Sequence, residues 1–177
     1  MLDVRSRRLD LVAFMGALCL FFSTIEYLFP KPFPFFRLGL ANLPILLALD
    51  LFSPGYVLLL VALKVVGQGL VSGTLASYVF LFSVAGSVAS ALVMLAAHRF
   101  GERWISLIGV SLLGSLASNI VQVTLSVTFI FGQSAWVIAP LFIGLGVASG
   151  LVVGLFAQQF RRRSVWIARV GSHVNAD

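Results

Sequence analysis

Pro30-Lys31-Pro32-Phe33-Pro34-Phe35-Phe36-Arg37-Leu38-Gly39-Leu40-Ala41-Asn42-Leu43-Pro44 holds four of the six prolines in the chain. Pro30, Pro32 and Pro34 have no N–H to donate and push the residues before them away from helical angles, so an extended loop is expected there. Long apolar runs flank the stretch on both sides. Lys31 and Arg37 place two positive charges in a region otherwise poor in charge. Two readings stand side by side: a rigid connector between membrane helices, or a lid over a cavity with Arg37 and Asn42 facing it. The rest of the chain bears on which one holds.

A sequence that is 60 % hydrophobic and 10 % charged, with a mean hydropathy of +1.07, reads as a polytopic membrane protein and excludes an ordinary soluble domain. The net charge of +6 is a membrane-orientation signal rather than a nucleic-acid signal, because the cations cluster at the ends of apolar runs. Cys19 is the sole cysteine and lies inside such a run, so neither a disulfide framework nor a Cys/His metal motif is present. No metal or cofactor is expected. The first apolar run lacks a small-residue cleavage site and reads as a retained helix.

Residues 1–177 read as a single all-α membrane domain with six transmembrane helices, at about 9–29, 38–51, 54–71, 75–97, 104–131 and 135–160. Arg5, Arg7 and Arg8 precede the first. Ala13 and Ala17 in that helix are small residues four apart, a spacing that lets another helix approach closely, from this protein or from a partner. Glu26, near its far end, reads as an acid reaching interfacial water, since burying an acid is costly. The second run is short and contains Gly39 and Pro44, so it must be shielded by protein or line a cavity.

Lys64 and Gln68 lie four apart on one face of the third helix. Lys64 falls about 15 Å along the axis from Pro54, near mid-membrane, where a lysine is a functional candidate by default. Its alternative is a lysine that snorkels or pairs with a structural acid. Ser83, Ser87 and Ser90 on the fourth helix read as packing surface. The fifth helix carries the stripe Ser115, Asn119, Gln122 and Ser126, whose amides need partners on neighbouring helices or on a ligand. Gly146, Gly150 and Gly154 on the sixth read as a packing seam. Arg5, Arg7, Arg8, Arg99, Arg103, Arg161, Arg162, Arg163 and Arg169 all fall on one side of this arrangement, which places both termini in the cytoplasm.

Arg37-Leu38-Gly39-Leu40-Ala41-Asn42, Phe80-Leu81-Phe82-Ser83-Val84-Ala85-Gly86-Ser87 and Ser118-Asn119-Ile120-Val121-Gln122 together resemble the Gx transporter family, also named heptaprenyl diphosphate synthase component I. The likeness covers about residues 9–160. A histidine often precedes the Asn-x-x-Gln pair in that family; Ser118 stands there in this chain. The family is similar in turn to the S components of energy-coupling factor vitamin transporters. That resemblance implies a six-helix bundle in the bacterial inner membrane, a loop between the first two helices that covers an outward-facing site, and docking of a coupling membrane protein on Ala13 and Ala17. Some relatives are associated with flavin supply.

Two functions compete. The first is a membrane protein that binds a small polar or anionic solute through Lys64, Gln68, Asn119 and Gln122, with Arg37 and Asn42 at the lid. No Walker motif occurs, so ATP-driven energy would come from partner ATPase subunits. The second is a membrane subunit of a prenyl diphosphate synthase. The familiar catalysis of that enzyme needs clustered aspartates to hold Mg²⁺. Asp3, Asp10, Glu26, Asp50, Glu102 and Asp177 are all isolated, so this role would be non-catalytic and the chain is not read as an enzyme.

Overall fold

The computed structural model describes residues 2–28, 39–101 and 104–164, with side chains from residue 9 onward. Every regular element among them is helical. In order they are α1 (Leu2–Leu28), a 3₁₀ turn (Leu40–Asn42), α2 (Leu43–Ala48), α3 (Pro54–Val71), α4 (Tyr78–Gly101), α5 (Leu107–Ser126), a π-helical turn (Val127–Phe131), a 3₁₀ turn (Gly132–Ser134) and α6 (Ala135–Arg163).

Local chemistry explains several boundaries. Ser53 is extended and Pro54 opens α3, where a missing N–H costs nothing. At the other end Gly73 adopts φ 65°, and the Thr74 N–H returns to the Gly69 carbonyl at 3.0 Å, a helix stop that favours glycine. Ser106 caps α5 by accepting a hydrogen bond from the Gly109 N–H at 3.3 Å.

The second helix is where the structure departs most from expectation. A helix over 38–51 would approach the thickness of a membrane core. Instead α2 is six residues, about 9 Å long, and cannot cross alone. Gly39 at φ 81° and the 3₁₀ turn take up the preceding residues, and Pro44 sits in the first turn of α2. The described residues therefore hold five long helices and one short one, against the expected six transmembrane helices. The fifth helix is also shorter than 104–131: its regular part ends at Ser126 and gives way to the π-helical turn.

The surface of the bundle is apolar. Leu59, Leu63, Val66 and Leu70 on α3, Leu81, Val88 and Leu92 on α4, and Leu151, Val152, Leu155 and Phe156 on α6 are all exposed. α1, α3 and α4 each contain a stretch long and apolar enough to cross a membrane, and so does the continuous run Leu107–Arg163. A water-soluble protein would not display such a surface, whereas lipid accepts it. Tyr27, Tyr78 and Trp136 are exposed at one end and Trp104 at the other, as aromatic side chains are at membrane interfaces. The end carrying Arg161–Arg163 is called the basic end below.

Two apolar clusters fill the interior. The larger includes Met15, Cys19, Leu46, Leu60, Val61, Met94 and Val110, toward the basic end. The smaller comprises Phe82, Val123, Ala139 and Phe142. Apart from Ser126, the buried polar residues of α4 and α5 lie between the two: Ser83, Ser87 and Ser90 fall between Phe82 and Met94, and Ser111, Asn119 and Gln122 fall between Val110 and Val123.

Candidate functional site

The polar layer is built by stripes that each helix turns inward. On α3 the buried positions are Val57, Leu60, Val61, Lys64, Val65, Gln68 and Gly69, which recur every three or four residues. Lys64 and Gln68 are thus carried inward by an otherwise apolar face. On α1 the buried positions Val12, Met15, Cys19, Ser23 and Glu26 follow the same spacing. Glu26 is 1 % exposed, and the expectation that it reaches interfacial water is wrong. It occupies the last inward position of the stripe.

Glu26, Lys64, Gln68, Asn42, Ser87, Ser115, Ser118 and Asn119 line one cavity, floored where side chains are small by Gly39, Ala41 and Gly146. Lys64 Nζ donates to Asn42 Oδ1 at 2.5 Å and to Ser87 Oγ at 3.5 Å. Gly146 lets α6 pass directly against Asn119: a Cβ there would fall on the Asn119 side-chain nitrogen and lie 2.7 Å from its Cγ. Gly154 approaches α5 as closely, with Ile108 Cα 2.8 Å from where its Cβ would be. Ser111 Oγ donates to the Gly150 carbonyl at 2.8 Å. The glycine seam of α6 is therefore packed on α5.

Four of the residues singled out from sequence, Asn42, Lys64, Gln68 and Asn119, meet at this cavity. Gln122 does not reach its wall. It is 1 % exposed and its Nε2 donates to Ser118 Oγ at 2.9 Å, beside Gly86 of α4, so it holds a lining residue from behind. Arg37 and the proline-rich stretch up to Leu38 lie outside the described residues. Ala13 and Ala17 are exposed, while Gly16 beside them faces Leu60 and Leu63 of α3.

Glu26, Ser87, Ser115, Ser118 and Gly146 were not singled out as site residues. The signal for Glu26 was present in the three-four spacing from Val12 onward. Ser87 faces Lys64 from the stripe read as packing surface, and nothing in the α4 sequence distinguishes those roles.

The space among these side chains accommodates the centres of water-sized molecules over about 30 Å³. That is room for one or two waters, against several hundred Å³ for a typical small-molecule pocket. Gln68 Oε1 and Asn119 Nδ2 are sealed within it and have no hydrogen-bond partner among the described residues. A second polar cluster sits at the basic end, where Asp50 accepts from Arg161 Nη1 at 3.0 Å and has His98 Nε2 at 3.6 Å.

The family model described as heptaprenyl diphosphate synthase component I matches residues 15–160, which includes every residue that lines the cavity. The chain belongs to that family. No curated protein and no solved structure matches it. The matched region runs from the middle of α1 to the last turns of α6.

Proposed function

We propose that this chain is a membrane-embedded substrate-binding protein for a small polar, vitamin-like solute, with flavins among the candidates. One observation carries the reading: a charged and amide-rich cavity lies inside a bundle whose outer surface is apolar. Ionisable groups at membrane depth are costly and mark solute or ion sites. The anionic solute favoured by Lys64 alone loses support, because Glu26 brings a carboxyl group to the same cavity. A cavity this small admits a vitamin only when its walls part, so binding is coupled to rearrangement.

In this reading the whole chain acts as one domain of the bacterial inner membrane with both termini cytoplasmic. The cationic ends of α4 and α6 support that orientation. The exposed Ala13 and Ala17 support docking of a coupling membrane protein, which would bring ATPase subunits. The description of the family supports a second role, a non-catalytic membrane subunit of a prenyl diphosphate synthase.

Purification in mild detergent, followed by mass spectrometry of retained small molecules and proteins, separates the two. A bound polar solute, with a membrane protein and ATPase subunits, is expected. Recovery of a prenyl diphosphate synthase subunit without any solute would overturn the proposal.

A further inference from the structure

The chemistry of the cavity wall narrows what can bind there. Lys64 and Glu26 contribute one formal charge of each sign, and the other lining residues are neutral, so the described walls carry no net charge. Lys64 Nζ already has Asn42 Oδ1 and Ser87 Oγ within hydrogen-bonding distance.

The amides of Gln68 and Asn119 stand differently. They are 6 % and 2 % exposed, and the acceptor Gln68 Oε1 and the donor Asn119 Nδ2 have no hydrogen-bond partner among the described residues. Sealing such atoms from water without a partner is expensive, and groups of this kind persist where a ligand completes them. The neighbouring hydroxyls repeat the mixture. Ser118 Oγ accepts from Gln122 Nε2, which leaves its O–H to donate; Ser115 Oγ donates to the Leu112 carbonyl, which leaves its lone pairs to accept.

We infer that the solute of this site is an uncharged compound presenting both a donor and an acceptor, as the edge of a cyclic amide or imide ring does. This rests on the reading of the cavity as a solute site. Gln68 Oε1 calls for a donor and Asn119 Nδ2 for an acceptor, so a ligand edge that carries both completes the two. A carboxylate offers acceptors only and adds charge to a balanced wall; an ammonium offers donors only.

Three matched probes test the inference by calorimetric titration of the full chain in detergent. Uracil carries the neutral edge, 1,3-dimethyluracil has lost its donors, and orotate keeps a ring edge but adds a carboxylate. Uracil is expected to bind at least about tenfold more tightly than the dimethyl compound, and orotate no more tightly than uracil. Tighter binding of orotate, or equal binding of the methylated ring, would overturn the inference. So would a retained solute lacking such an edge in a protein that ignores all three probes, while solute binding itself would stand. Failure to bind any probe and to retain any solute would bring down the solute site as well. Gln68→Leu and Asn119→Leu are each expected to weaken uracil binding about tenfold without lowering thermal stability, because each removes a buried polar atom that has no partner. Lowered stability with uracil affinity unchanged would make the amides structural and overturn the inference.

Discussion

Gly146→Ala adds one methyl group at the point where α6 crosses Asn119. The new Cβ would clash with the Asn119 side-chain nitrogen and stand 2.7 Å from its Cγ, so the amide or the helix must move. Overpacking a tight interior contact by one methyl costs about 1–3 kcal/mol. Alanine also favours the helix over glycine by about 1 kcal/mol, which masks part of that cost. Gly144→Ala supplies the correction, because a Cβ at Gly144 meets nothing within 4 Å and the helix preference is the same. The stability difference between the two variants therefore isolates the overpacking, about 1–3 kcal/mol in favour of Gly144→Ala. Thermal or denaturant unfolding in one detergent measures it. Solute affinity should fall for Gly146→Ala and hold for Gly144→Ala, since only the first disturbs Asn119. Equal stability and equal affinity for the two variants would refute both the packing of α6 on Asn119 and the role given to that amide.

Lys64→Met leaves Glu26 in the cavity without its neighbouring cation. Removal of one member of a buried charge pair costs about 3–5 kcal/mol, so the variant is expected to be less stable, and a double variant with Glu26→Gln should recover part of the loss; strict additivity would show that the two charges do not interact. A cysteine introduced at Gly132 should react with an impermeant reagent from outside the cell and one at Trp104 should not, with the buried Cys19 silent in both; the reverse pattern would invert the orientation. Replacing Ala13 and Ala17 together with leucine should abolish recovery of a coupling protein with little change in stability, since both positions are exposed; unfolding of the double variant would make them internal packing.

Features governed by local chemistry were legible in the sequence, and features set by distant neighbours were not. The Ser53-Pro54 start of α3 and the glycine at its end follow from backbone preferences of single residues. The inward turn of Lys64 and Gln68 follows from helical periodicity. The length of α2 does not: the residues around Asn42 take a 3₁₀ turn packed against α1 and α6, with Gly39 at a positive φ before it. Gln122 illustrates another limit. It shares the stripe with Asn119, yet one turn along α5 the facing surface has changed from the cavity to Gly86 of α4. Periodicity identifies an inward side chain and leaves open what it meets.

The smallest helix has anchors at both ends. Just before α2, Asn42 accepts a hydrogen bond from Lys64; just after it, Asp50 accepts one from Arg161. A six-residue helix about 9 Å long has no stability of its own in isolation, so α2 owes its place to its buried apolar residues and to these two side-chain bonds, one at the cavity and one at the basic end.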